Sequence, residues 1–355
     1  MDFPFFNGRR KKREQTVVID LGTRTTKAIH VQRKGDTYNL LNFALIDAPI
    51  YDKAPSPELL ADHLKAVSQA LGARVKHTVF VVGDAVLRHA EVPMASPDDL
   101  RLLVKFNTKS YLQQDLPDHT FDCHLLPLKN IDHSGKPTEP LKPNQKIRVL
   151  VGGAKNQLIN DLQSAARIAG LTADAIAPSL TGPANAFELA HPEIFQKEVV
   201  ALVDVGFRTS SITILLGGEL LLNRVVGIGG DKLTQGLAQT MNITYAEAEG
   251  IKVGMPEEVK AALAALVSPL GRELRASLDF FEHQHDKTVS QVFLSGGSVR
   301  SEFIVQALQE ELMTPCKTWN PTSFLKPMLP PQRMGEFEEA AQHLTVAAGA
   351  AAAAL

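Results

Sequence analysis

The sequence predicts an α/β protein built from two similar halves that face each other across a cleft. A small α+β subdomain is inserted in the first half. Three observations predict this. The stretch from Val199 to Leu233 strings three apolar, β-branched runs between glycine turns and then starts a helix. The stretch from Thr16 to Ile29 repeats its opening, so that Asp20, Gly22, Arg24 and Thr25 fall on Asp204, Gly206, Arg208 and Thr209. A third glycine turn, Ser295-Gly296-Gly297, follows another apolar run. A repeat at about half the chain length is the mark of a duplicated structural unit.

Composition narrows the class. The chain has 355 residues, enough for two domains with large cores. Its 44% hydrophobic and 21% charged residues are those of a soluble globular protein. A net charge of -2 excludes a nucleic-acid binder that uses its whole surface. Two cysteines, Cys123 and Cys316, cannot make a disulfide framework or a zinc site, and a reducing cytoplasm is the expected setting. No apolar run reaches the roughly 18 residues of a membrane helix, and the Ala-rich Val346 to Leu355 falls short of it.

The elements follow in order. Residues 1–15 read as a solvated basic tail, in which Phe3, Phe5 and Phe6 precede the charges from Arg9 to Arg13. Such a tail can also touch an anionic membrane surface peripherally. Lys27 to Val31 and Tyr38 to Ile46 read as strands joined by a Gly35-Asp36 turn. Pro57 to Leu71 has helical spacing and stops at Gly72. Thr78 to Val82 is a buried strand. Ser96-Pro97-Asp98-Asp99 caps one helix running to about Leu116. Phe121 to Leu128 and Lys146 to Val151 pair as strands around a Pro- and Lys-rich loop, Asn130 to Gln145. Asn156 to Ala169 is a helix ended by Gly170. Thr244 to Glu247 forms a capping box. Helical spacing then runs from Pro256 to His285, with a kink expected at Pro269. Val289 to Leu294 is a strand, followed by a helix to about Met313. Pro315 to Trp319 is the last strand, Asn320 to Met334 a loop, and Glu336 to Leu355 a terminal helix.

The turns carry the chemistry. A lone carboxylate in an apolar strand, as at Asp20 or Asp204, is costly unless it faces an ion or a donor. Glycines beside hydroxyls let backbone N–H groups approach an anion closely. Gly229-Gly230 at a helix start adds the positive end of a helix dipole. Together these describe a cradle for phosphate and a divalent metal. Other sites are weaker. His283 and His285 do not share a helix face, and Cys123 in an apolar strand reads as packing.

The three turns in this order resemble the actin/Hsp70/sugar-kinase ATPase superfamily, with its two phosphate motifs and one adenosine motif. No Walker P-loop and no GxGxxG after a strand compete with that reading. Within the superfamily, four segments resemble the type IV pilus assembly protein PilM family, related to the cell-division protein FtsA. They are Ile19 to Lys27, Arg224 to Thr234, Ala248 to Lys252 and Phe293 to Ser298. The resemblance covers essentially the whole chain. It implies an actin-like ATPase fold of two RNase H-like domains, residues 16–83 with 173–198 and residues 199–335. Residues 84–172 would be the inserted subdomain, which replaces the filament-contact subdomain of actin, and 336–355 would pack back on the first domain.

The resemblance also implies the cofactors ATP and Mg²⁺. Asp20 and Asp204 would hold the metal through water. Gly22, Thr23, Arg24 and Thr25, with Gly206, Arg208, Thr209 and Ser210, would hold phosphates, and Lys27 would neutralise them as a point charge. Glu249 and Lys252 would meet ribose and base, and Gly296, Gly297 and Ser298 would let the nucleoside lie close to the backbone. The implied role is a cytoplasmic scaffold peripheral to the inner membrane. Its partners would be the cytoplasmic N-terminal tail of a PilN-like single-pass membrane protein and other pilus assembly components. The water-positioning residues of actin are not recognisable, and the Hsp70-like Glu before a proline is Ala177 before Pro178. Both departures predict slow hydrolysis at most. A sugar- or acetate-type kinase and an FtsA-like filament former are the rival readings.

Overall fold

A computed structural model describes residues 13–49, 55–126, 146–254 and 256–355. The expected loop from Asn130 to Gln145 and most of the basic tail lie outside these residues.

The chain opens with three antiparallel strands, β1 (Gln15–Leu21), β2 (Thr25–Lys34) and β3 (Thr37–Asp47). Then come α1 (Pro57–Leu71) and β4 (His77–Val82). Ser56 caps α1 through its side chain, and Gly72, at φ 63°, ends it in the left-handed region that glycine adopts at least cost. A small subdomain follows: β5 (Ala85–Pro93), α2 (Pro97–Phe106), α3 (Thr108–Leu112), β6 (His119–Leu125) and β7 (Lys146–Lys155). The chain returns through α4 (Asn156–Ile168), β8 (Thr172–Pro178), α5 (Gly182–Ala190) and α6 (Pro192–Lys197).

The second half repeats the plan. A meander, β9 (Val199–Val205), β10 (Ser210–Leu216) and β11 (Glu219–Val226), leads to α7 (Gly230–Met241), α8 (Tyr245–Gly254) and α9 (Lys260–His285). After these come β12 (Gln291–Ser295), α10 (Glu302–Leu312), β13 (Cys316–Thr318) and β14 (Leu325–Pro327). The chain closes with α11 (Met334–Ala340) and α12 (Thr345–Ala354).

The sheets carry the duplication. One has the order β14-β3-β2-β1-β4-β8 and the other β11-β10-β9-β12-β13. Apart from the added edge strand β14, each is a meander whose first strand also pairs in parallel with a later one. The third sheet, β5-β7-β6, belongs to the insertion. In the first half, α1 and α4 cover one face with Leu64, Leu71 and Leu162, while Leu344, Ala347 and Ala351 cover the other. In the second half, α9 and α10 pack on one face through Leu270, Leu274, Phe281 and Leu308. Phe187 and Phe195 of α5 and α6 join Phe293 and Trp319 on the opposite face. The helices α5 and α12 cross so closely that a Cβ on Gly349 would lie 1.8 Å from the Gly182 carbonyl oxygen.

Several expectations are corrected. The single helix expected to Leu116 is two, because the chain leaves helical geometry at Asn107 (φ −134°, ψ 38°). The inserted sheet and its helices occupy residues 85–155, and α4 lies outside the insertion, in the core with α1. Helices α5 and α6 bury their aromatic residues on the second sheet rather than on the first. The expected loop from Asn320 supplies β14, which pairs with β3 at Tyr38 to Leu40. The terminal helix is broken by a 3₁₀ turn, Ala341–Leu344, before α12.

Candidate functional site

Each turn sits at the C-terminal end of a central strand. Residues 22–24 join β1 to β2, and a Cβ on Gly22 would lie 2.4 Å from Thr25 O and 2.7 Å from Lys27 Nζ. Residues 206–209 join β9 to β10, and a Cβ on Gly206 would lie 2.8 Å from Thr209 O. Gly296 follows β12 at φ 98°, where a side chain would be both strained and 2.5 Å from Val205 O. Among the described residues, the amides of Thr23, Arg24, Phe207, Arg208 and Thr209 have no backbone acceptor. They are available to an anion in the cleft between the halves.

The two acids are handled differently. Asp20 stands opposite Lys27 in the β1–β2 ladder, and Lys27 Nζ donates to Asp20 Oδ2 at 3.0 Å. Burial alone lowers the Lys27 pKa, but the Asp20 charge and hydrogen bond, with Asp204 adding to them, leave it raised. Asp204 accepts a hydrogen bond from Ser295 Oγ at 2.8 Å. Desolvation raises its pKa against that bond and the Lys27 charge, and Asp20 adds repulsion. Two carboxylates on two halves are too few to cage a hard cation. No group of three His, Cys, Asp or Glu able to ligate a metal occurs among the described residues. That set fits Mg²⁺ held jointly by water and phosphate oxygens, because Mg²⁺ keeps part of its hydration shell. Mg²⁺ there would neutralise phosphate charge.

Lys252 is buried and Glu249 half-buried, so the two form a partly enclosed network rather than an exposed pair. Lys252 is 5% exposed and donates to Glu249 Oε2 and Thr234 Oγ1, both at 2.7 Å. Thr234 also bonds Glu249 and the Gly230 carbonyl, tying α8 to the start of α7. Burial raises the Glu249 pKa, but the Lys252 and Thr234 hydrogen bonds and the Lys252 charge outweigh it, and the pKa is lowered.

The cleft holds about 280 Å³. Its lining includes every residue named from the sequence except Ser210 and Gly229. Ser210 Oγ instead donates to Ile228 O at 2.7 Å, and Ser211 takes its place in the lining. Ser211 stands opposite Asp204 as Lys27 stands opposite Asp20, so the repeat itself pointed to it. A Cβ on Gly229 would lie 2.4 Å from Phe207 O, so that glycine seats the second turn against α7. Sequence reasoning missed Gly83, Ser179, Phe207, Arg300 and His343, which also line the cleft. His343 comes from the chain's far end and had no local signal. The Arg24 guanidinium lies over the Phe207 ring at 5.0 Å, a contact between the first two glycine turns.

Two duplicated meander sheets, with glycine turns converging on the cleft between them, define an actin-like ATPase fold. Solved structures agree. MreB 5 of Spiroplasma citri bound to AMPPNP is 10% identical over 96% of this chain and 95% of that chain, with a TM-score of 0.52. The ethanolamine utilization protein EutJ from Carboxydothermus hydrogenoformans is 13% identical over 96% and 90%, at 0.55. The family described as type IV pilus assembly protein PilM matches residues 18–354, and the chain belongs to that family. A structure titled PilM-PilN type IV pilus biogenesis complex is 20% identical, covers 97% of this chain and 99% of that chain, and has a TM-score of 0.81.

Proposed function

We propose that this protein binds ATP with Mg²⁺ and serves as a scaffold of a type IV pilus inner-membrane assembly complex. It works in the cytoplasm, peripheral to the inner membrane, and holds the cytoplasmic N-terminal tail of a PilN-like single-pass protein. The observation that carries the nucleotide reading is the convergence of three glycine turns from both halves on one cleft. Base and ribose lie toward Glu249, Lys252 and Gly296 to Ser298. The free amides of the first two turns would hold the phosphates, and Asp20 and Asp204 would hold Mg²⁺.

The partner reading rests on family membership and on the insertion's surface. No helix among the described residues is long and apolar enough to cross a membrane. The insertion leaves Leu102 at 52%, Phe106 at 76% and Leu125 at 50% exposed, on α2 and the edge strand β6. Apolar anchors beside a strand edge suit a short peptide that docks in extended or helical form. A kinase reading lacks a free carboxylate base, since the carboxylates lining the cleft are Asp20, Asp204 and Glu249, bonded to Lys27, Ser295 and Lys252. A filament former anchored through its last helix is disfavoured, because α12 is buried against the first half.

Co-purification with native membranes tests the partner reading. Leu102→Asp with Phe106→Asp abolishes association while the fold, checked by thermal unfolding, persists. Neutralising Arg9 to Arg13 has little effect. The reverse pattern makes the basic tail the anchor and overturns the peptide model.

A further inference from the structure

The duplication places an arginine at the same position of both phosphate turns, Arg24 after Asp20 and Arg208 after Asp204. Both line the cleft. The cleft's lysines are already neutralised: Lys27 pairs with Asp20 at 3.0 Å and Lys252 with Glu249 at 2.7 Å. Among the described residues, neither Arg24 nor Arg208 forms a salt bridge, although the Arg24 charge is felt by the Glu249 carboxylate. The duplicated turns therefore bring two guanidinium groups that form no salt bridge to one cleft, one from each half. The Arg24 group rests on Phe207, the neighbour of Arg208 in the opposite turn. That stacking holds its plane at the cleft without using its N–H donors. Both side chains are exposed at the cleft, so their N–H donors are open to an incoming anion, and the mutual repulsion of two like charges is relieved when an anion lies between them.

We propose that Arg24 and Arg208 form a duplicated guanidinium clamp that grips the phosphate chain of the nucleotide from both halves. Each fork offers paired N–H donors that match phosphate oxygens, which a lysine does not. Lys27 and Lys252 then serve chiefly to keep Asp20 and Glu249 in place. Phe207 presents Arg24 in advance, reducing the ordering cost on binding. The clamp rests on the nucleotide reading above. It adds that the side chains of these turns, not only their backbone amides, bind phosphate.

The test uses the full chain stripped of nucleotide, with Arg24→Gln, Arg208→Gln and Phe207→Leu variants whose folding is checked by thermal unfolding. ATP with Mg²⁺ and adenosine are titrated at low and at moderate salt. Each arginine variant loses about tenfold to a hundredfold in ATP affinity and shows a flatter salt dependence, because charge-assisted hydrogen bonds are lost. Adenosine affinity is unchanged. Arg24→Lys, which keeps charge but not the fork, falls between the wild type and Arg24→Gln. Phe207→Leu weakens ATP binding less than Arg24→Gln does. Wild-type ATP affinity and salt dependence in both arginine variants overturns the clamp and leaves the nucleotide reading standing. Equal losses for ATP and adenosine also overturn it, since the residues then act on the fold or the base. A wild type that binds neither ligand removes the nucleotide reading and the clamp with it.

Discussion

Replacing Gly349 with alanine sets two rules against each other. In a helix interior, alanine is favoured over glycine by about 1 kcal/mol, so intrinsic propensity predicts stabilisation. The crossing of α5 and α12 predicts the opposite. The new Cβ would lie 1.8 Å from the Gly182 carbonyl oxygen, 2.6 Å from its carbon and 2.9 Å from its Cα. All three are backbone atoms and cannot rotate away, so the helices must separate by roughly 1.5 Å to reach ordinary contact. Overpacking of this kind costs typically 1–3 kcal/mol, and a rigid backbone clash belongs at or above the upper end. We expect a net loss of about 2–3 kcal/mol after the propensity gain, and a lower Tm by roughly 3–4 °C. Gly335→Ala on α11 is the control, because a Cβ there meets nothing within 4 Å. It gains about 0.5–1 kcal/mol. Thermal and urea unfolding of both variants measure the difference. If Gly349→Ala raises Tm as Gly335→Ala does, the close crossing of the two helices is wrong.

Other predictions concern charge and reactivity. Lys252→Met removes the cation from the half-buried Glu249 carboxylate and from Thr234 and costs about 1–3 kcal/mol in urea unfolding, whereas a cost within 0.5 kcal/mol would contradict the network. Burial, reinforced by the charges of Lys27 and Arg300, pushes the His343 pKa down to about 4. The unfolded chain, with an ordinary histidine near 6.5, then binds the proton first as pH falls. The stability tied to a neutral His343 is therefore present above pH 6.5 and lost toward pH 4, and His343→Gln flattens this part of the profile. An unchanged profile would show that His343 is not enclosed. Burial pushes the thiols of Cys123 and Cys316 up to about 12, so both resist iodoacetamide at pH 8 in the native state and react only on unfolding. Hydrolysis without a partner stays below about one turnover per second, because the carboxylates lining the cleft are bonded to Lys27, Ser295 and Lys252 and none is free to act as a base. Faster steady-state turnover would favour a kinase.

The sequence revealed what is local and repeated. The two meanders were legible because their apolar runs end at glycines required by close backbone approach, as at Gly22 and Gly206. The α1 boundaries followed from Pro57 and Gly72, and the structure adds the Ser56 cap. The β5 strand was missed because Arg88, His89 and Glu91 interrupt its apolar pattern. His89 is there to reach Leu220 O, at 2.7 Å, on the second half's hairpin. Extent of the insertion was misread because α4 shows ordinary amphipathic spacing, and only packing reveals that it faces α1. In the cleft, backbone-determined positions were readable, whereas Arg300 and His343 depend on how distant segments meet. Choosing Ser210 over Ser211 was an error of facing, which the ladder register at Asp204 resolves.

The central claim is tested most directly by calorimetric titration of ATP into the full-length protein, stripped of co-purified nucleotide, with and without Mg²⁺. The account predicts saturable binding with a Kd on the order of micromolar in Mg²⁺, about 8 kcal/mol of binding free energy. It also predicts marked weakening when Mg²⁺ is withheld or Asp204 is replaced by alanine. Absence of any heat with ATP and Mg²⁺, in protein that unfolds cooperatively, would contradict the nucleotide cleft. Binding indifferent to both Mg²⁺ and Asp204 would contradict the assignment of the two carboxylates.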